Sequence, residues 1–268
     1  MQVQIFLLTS VEMSRPSSVI AGTVPECLLP VANREVLDIQ LEALEKCGAC
    51  VEPGGGRVFS HFFAKGVDSV TVVCPTVVVE AIRSWTTDVC HRKVQVAFHA
   101  YTESLDTAEV LYGLRESIVD DFVVIVGSVL FDAEVLMRAL SEHRAREPLV
   151  TTVVQTASER NTAPVPLTKS MSDLRYPANF VGYADDNRLI YIRSNSSIVA
   201  SLSSSKVALK KAVLRRFPDM RISTTFFDGQ VRALVSPRCG HFFFLTPFPR
   251  CMCLPRTCFS WPMRSGAR

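Results

Sequence analysis

Phosphates are held by glycine-rich backbone and cations, and metals by clustered carboxylates or by cysteine and histidine sets. Candidates for each occur in this chain. The run "PGGGR" (residues 53–57) imitates a phosphate loop, but no Lys-Ser/Thr pair and no helix pattern follows it. Cys47-x-x-Cys50 could join Cys251, Cys253 and Cys258 in a zinc set, yet the spacings are irregular. His91, His99, His143 and His241 share no motif, His61 stands apart, and no G-x-S-x-G is present to begin a serine hydrolase. Acids recur instead at separate places: Glu12 in "TSVEMSRP" (9–16), Glu26 in "TVPECLLPV", Asp106 in "SLDTAEVL", Asp132 after "FVVIVGSVLF", and Asp228 before a glycine. What they can do depends on the elements that carry them.

Those elements alternate. "QVQIFLLT" reads as a short strand, and "REVLDIQLEALEKCG" as a helix with Val36, Leu37, Leu41 and Leu44 on one face and a stop at Gly48. Strand 69–75 ends at Pro75, and a helix follows over 76–85. Then come strand 93–100, helix 104–118, a continuous apolar strand over 121–131, helix 132–146 and strand 149–158. This rhythm predicts an α/β fold, a Rossmann-like, mostly parallel mixed sheet flanked by helices. After residue 160 it changes. Residues 178–195 read as a hairpin around Asp185-Asp186-Asn187, and residues 221–235 as a strand pair or a strand with a turn at Asp228-Gly229. "SNSSIVASLSSS" (194–205) reads as a Ser-rich loop, and "KVALKKAVLRR" (206–216) as a basic helix with a solvated face or partner surface.

Charge excludes little and supports less. The net charge is +3, but Arg238, Arg250, Arg256, Arg264 and Arg268 fall in residues 236–268 without an acid, leaving about −2 elsewhere. A direct nucleic-acid role gains nothing from that balance. No apolar run approaches a membrane span, and "MQVQIFLL" lacks a basic leader. Nine scattered cysteines are expected to be reduced thiols of a cytosolic protein.

Two stretches interrupt the pattern. Residues 49–66 form an atypical insertion between a helix and a strand that would join without it. Residues 236–268 hold five prolines, five phenylalanines and four cysteines, and show no helix or strand period. The domain is therefore expected over 1–235, with the irregular Cys/Pro/Phe/Arg-rich tail outside the fold. Both stretches read as additions such as a retained intron or a shifted frame. Spliced reads joining codons 48 and 67 would support that for the insertion, and continuous coverage would remove it.

Five segments carry a resemblance. "PECLLPVANREVLDIQLEAL" resembles the P-K-P-L-L-P-V-x-N-K-P segment of the nucleotidyltransferase-like family, "LDTAEVLYGLR" its G-T-A-x-A-L helix start, and "DFVVIVGSVLFD" its strand ending in an acidic metal site. "DNRLIYIRS" with "KVALKKAVLRRFPDMRISTTFFDGQVRAL" resembles one branch, the gamma subunits of eukaryotic translation initiation factor 2B. There Leu214, Arg216, Pro218, Ile222, Thr224, Phe226, Asp228 and Leu234 fall on the branch pattern. The resemblance covers residues 3–48 and 67–235. The epsilon subunit is a close second, since "RALSEHRAREPL" (138–149) also suits it.

The resemblance also shows what the chain lacks. Of the family's G-G-x-G-x-R loop only Arg15 remains, with Val11, Glu12 and Met13 in the glycine places. Glu26 stands where the phosphate-binding lysine is expected, Asp106 replaces the glycine of the G-T-A turn, and neutral Ser128 replaces the metal-binding aspartate. Asp132 reads as a helix N-cap and Asp228 as a turn residue. Arg15, Glu26, Asp106, Ser128, Asp132 and Asp228 are thus vestigial pocket positions, with no catalytic residue, cofactor or metal expected.

What the resemblance implies is a non-catalytic scaffold subunit of the cytosolic guanine nucleotide exchange factor acting on translation initiation factor 2. It would pair with the epsilon subunit and join the other subunits. The alternatives are a sugar-1-phosphate nucleotidyltransferase and an epsilon-type subunit of the same factor. The family's C-terminal β-helix is not expected within these residues, since no hexapeptide repeat is present.

Overall fold

The computed structural model describes residues 3–9, 24–49, 69–90, 92–102, 107–156, 179–194, 209, 211–235 and 258–263. The insertion's residues 50–66, the Ser-rich stretch 195–205, and the tail's residues 236–257 and 264–268 lie outside them. The chain divides into two compact units, Met1–Glu147 with Gln230–Pro247, and Pro148–Gly229 with Phe248–Arg268.

In the first unit β1 (Gln4–Leu8), β4 (Ser69–Pro75), β5 (Gln95–Tyr101) and β6 (Phe122–Val126) are parallel in the order β6-β1-β4-β5. Residues 231–234 of β11 (Phe226–Leu234) close the β6 side antiparallel, with Val231 opposite Ile125. Two short strands, β2 (Pro30–Val31) and β3 (Arg34–Glu35), pair with each other ahead of α1 (Val36–Ala49). Helices α2 (Thr76–Asp88), α3 (Thr107–Gly113) and α4 (Ala133–Arg146) fill the crossovers.

The apolar runs explain the burial. Ile5, Leu7, Val70, Val72, Val123 and Ile125 are sealed from solvent, as strands covered on both faces require. Leu37, Leu41 and Leu44 form the inward stripe of α1, and full burial of each is worth roughly 2 kcal/mol as an upper figure. α1 runs through Gly48 to Ala49 rather than stopping at the glycine. Its C-terminal half packs on α4, where the Cys47 thiol donates to the Ala133 carbonyl at 3.6 Å. Phe6 and Phe122 meet edge to face at 5.9 Å.

On the outer side of α1, Arg34 bonds Asp38 and Glu42, and Lys46 reaches Glu42 at 2.7 Å. Arg92 spans Asp38 at 2.8 Å, Glu42 at 3.3 Å and Glu45 at 3.5 Å, tying the segment before β5 to the helix. β6 is shorter than the apolar run implies: it ends at Val126, and Gly127-Ser128 turn the chain. α3 likewise ends at Gly113, after which residues 114–117 tighten into turns.

In the second unit β7 (Val150–Thr156), β8 (Asn179–Tyr183), β9 (Arg188–Ser194), β10 (Arg221–Ser223) and β12 (Cys258–Met263) stand in the order β10-β8-β9-β12-β7. The hairpin at Asp185-Asp186-Asn187 forms as its residues require: Asn187 takes φ 60°, and Asp186 Oδ1 accepts from the Arg188 amide at 3.1 Å. The tail does not stay wholly outside the fold, because β12 pairs with β7 in parallel along its whole length. Its β-prone Phe-Ser-Trp core carries the ladder, and Pro262 lies past Cys258 and Phe259, the two residues that also pair with β9. The turn expected at Asp228-Gly229 is a strand. The break comes at Thr224-Thr225, between β10 and β11. Of the basic helix expected over 206–216, α5 (Lys211–Arg216) is helical and Leu209 is not, while 206–208 and 210 lie outside the described residues.

Candidate functional site

In an open α/β sheet, ligands bind beyond the carboxyl ends of the strands where the strand order reverses. In the first unit the chain moves from β1 outward to β4 and β5, then returns to place β6 on the other side of β1. The reversal therefore lies between the carboxyl ends of β1 and β6, at Thr9 and Gly127-Ser128.

Thr9 is buried, and its amide and hydroxyl both donate to the Val73 carbonyl, at 2.9 and 3.2 Å. Its own carbonyl accepts from the Tyr101 hydroxyl at 2.9 Å. Across the gap the Gly127 amide donates to the Leu8 carbonyl at 2.8 Å. A side chain at 127 would press a Cβ to 2.7 Å from Thr9 Cγ2, so glycine is what lets the two strand ends close. Gln40, fully buried on α1, donates from Nε2 to the Val126 and Val129 carbonyls at 3.1 and 2.7 Å. The loop bearing Ser128 is thus held from beneath, with Ser128 exposed above it.

Glu26 opens a 3-10 turn over Glu26–Leu28 that packs against α1. It is half-buried, and burial holds its carboxyl above the usual range. The neighbouring Cys27 is sealed. Burial first, then the charge of Cys74, push its thiol up to about 12, so the turn sits near the end of β4. Cys74 is itself pushed up to about 11 by burial. Neither thiol is a nucleophile at neutral pH.

The other named positions fall as follows. Asp132 caps α4, its Oδ1 accepting from the Glu134 amide at 3.4 Å. Asp228 lies within β11 rather than in a turn. The next residue, Gly229, brings its backbone so close to Val153 that a Cβ would stand 2.7 Å from the Val153 carbonyl oxygen. Glu12, Arg15 and Asp106 lie outside the described residues. Among the described residues no three of His, Cys, Asp and Glu gather as a metal site. Of the zinc candidates, Cys47 is a buried hydrogen-bonded thiol, Cys258 belongs to β12, and the remaining three lie outside the described residues.

Thr9, Gln40, Tyr101 and Gly127 are the residues that sequence reading missed. Two had a signal: Gly127 closes an otherwise unbroken apolar run, and Gln40 interrupts the leucine stripe of α1. The strand reversal offers the exposed Ser128 hydroxyl, and the turn against α1 offers the half-buried Glu26 acid. Neither pairs well with a triphosphate or a hard cation.

No protein-family model matches the chain. It is similar to the translation initiation factor eIF2B subunit gamma of Dictyostelium discoideum, 23% identical over 236 residues. That alignment takes in 86% of this chain and 49% of the relative, so the chain spans about half the relative's length. Among solved structures it is similar to a Bacillus anthracis protein described as a glucose-1-phosphate thymidylyltransferase, in complex with a sucrose. The TM-score is 0.62 at 11% identity, over 98% of this chain and 87% of that one. HddC from Yersinia pseudotuberculosis gives a TM-score of 0.58 at 12% identity, over 97% and 90%. The inositol-1-phosphate CTP transferase from T. maritima gives 0.56 at 12% identity, over 97% and 85%. These likenesses show the fold, a Rossmann-like, mostly parallel mixed sheet with flanking helices of the nucleotidyltransferase type. The relative is of the branch that the sequence motifs resemble.

Proposed function

We propose that this chain is a non-catalytic scaffold subunit of a cytosolic guanine nucleotide exchange factor acting on translation initiation factor 2. It would pair with an epsilon-type subunit and, through it, with the other subunits. The carrying observation is the similarity to a gamma subunit of that factor across most of the chain. The crevice supports the same reading. Glu26 stands where a phosphate-neutralising lysine is expected, and burial already disfavours its charge. A triphosphate beside it would add like-charge repulsion. Ser128 offers Mg²⁺ a neutral hydroxyl in place of a carboxylate. A fold can outlive its chemistry and work through its surface.

The fold neighbours favour a second reading, a sugar-1-phosphate nucleotidyltransferase. One pair of experiments separates the two. The purified chain is incubated with each nucleoside triphosphate, Mg²⁺ and glucose- or mannose-1-phosphate, and pyrophosphate is measured. The chain is also co-expressed with an epsilon subunit and passed over a sizing column. The scaffold reading expects no pyrophosphate and a co-eluting pair. Sustained pyrophosphate release, or two separate peaks, would overturn it.

A further inference from the structure

Helix α5 buries none of its residues. It has six of them, whereas an isolated helix needs roughly 12–15 to persist in water on backbone bonding alone. Leu214 on this helix is 44% exposed, and Ile222 on the following β10 is 46% exposed. Four cations crowd the same stretch, Lys211, Arg215, Arg216 and Arg221, against one acid, Asp219. Arg221 meets Asp185 at 3.0 Å and Arg216 lies over the Phe217 ring at 5.7 Å. Lys211 and Arg215 have no ion-pair partner among the described residues. β10 ends the strand order of its unit, pairing with β8.

We propose that α5 and β10 form a docking surface for an acidic segment of another protein, one that sets carboxylates against Lys211 and Arg215 and an apolar side chain against Leu214. The charge fixes the sign of the occupant. It also argues against a second copy meeting this face symmetrically, because two like basic patches would oppose each other. The exposed aliphatics argue for protein over RNA. Single-stranded RNA uses exposed aromatic rings for stacking, and the ring here, Phe217, is half-buried beneath Arg216. Arg216 and Arg221 already have partners within the chain, so of the described cations here Lys211 and Arg215 are left to engage a newcomer.

The test titrates the full chain into a fluorescein-labelled peptide of about a dozen residues alternating Glu with Leu, long enough for one groove or edge contact. The same peptide with Lys for Glu, and an oligouridylate of equal length, are titrated alongside, with anisotropy as the readout. The acidic peptide is expected to bind and the other two to stay free. The pair Lys211→Glu with Arg215→Glu, and separately Leu214→Ser, should each weaken binding by about tenfold. Urea midpoints should stay in place, because all three side chains are exposed. Absent peptide binding would overturn the proposal, as would RNA binding the tighter. Binding indifferent to Leu214→Ser would also overturn it, since that is diffuse charge attraction rather than docking.

Discussion

The Nε2 of Gln40 lies 2.7 Å from the carbonyl oxygen of Val129 and 3.1 Å from that of Val126. One amide on α1 therefore clamps both sides of the turn that carries Ser128. A conformation that could be left to glycine and solvent is instead wired into the core. The Val126 carbonyl also accepts from the Val129 amide at 3.1 Å, so the Gln40 amide adds a second donor to a turn that already closes on itself.

Gln40→Ala should destabilise the chain by about 2–4 kcal/mol, from two lost hydrogen bonds and the cavity left behind. Gln40→Glu should do at least as much harm, since a carboxylate would face two carbonyl oxygens. Urea unfolding reads both. A loss under about 0.5 kcal/mol for Gln40→Ala would mean that water replaces the amide freely.

Two glycines should respond oppositely to alanine. At Gly113 nothing lies within 4 Å of a new Cβ, so Gly113→Ala should be neutral or stabilise α3 by up to about 1 kcal/mol. At Gly127 the Cβ meets Thr9 Cγ2 at 2.7 Å, and Thr9 is anchored by its bonds to the Val73 carbonyl. Gly127→Ala should cost about 1–3 kcal/mol as the strand ends part. Equal effects at the two sites would refute the close approach.

The α1 acids predict an acid-sensitive stability. The hydrogen bond from Arg92, ahead of that from Arg34, holds the Asp38 carboxyl below the usual range against its burial. Lys46 and then Arg34 hold Glu42 at about 2. Both acids have folded values below their unfolded ones. The stabilisation is thus complete above the ordinary carboxylate range and is lost as pH falls from about 4 towards about 2. Arg92→Met should flatten this limb by returning Asp38 towards its ordinary value, and added salt should flatten it further. A midpoint-against-pH curve unchanged by Arg92→Met would show that the ion network contributes nothing.

Most of the first unit was legible because its strands are long apolar runs and its helices alternate with them in order. Pro75 and Asp132 mark boundaries that the structure keeps. The failures have local causes. Gly48 lies inside α1 because tertiary packing on α4 outweighs a glycine's weak preference against helix. Asp228-Gly229 looks like a turn by type, yet Gly229 is there for the close approach to Val153, a reason invisible without the neighbouring strand. β12 was passed over because prolines surround it, although its six residues complete a ladder on β7. In the crevice, Glu26 and Ser128 could be named from motif position. Their supports, Gln40, Thr9 and Tyr101, are far apart in sequence and meet only in the fold.

Glu26 offers the sharpest test of a spent crevice. Burial alone raises its carboxyl, so the fold favours the neutral acid. A raised acid contributes stability below its unfolded value and loses it as pH rises through the folded one, so at pH 7 the ionised Glu26 is a burden. Glu26→Gln removes the charge while keeping the shape. The urea midpoint should rise slightly at pH 7, by less than about 1 kcal/mol because the side chain keeps part of its hydration, and stay unchanged near pH 4. Co-elution with an epsilon subunit should be indifferent to the change. A drop in stability at pH 7 would reveal that the ionised carboxylate is held by donors, and a group so held would no longer read as the remnant of a lost phosphate site.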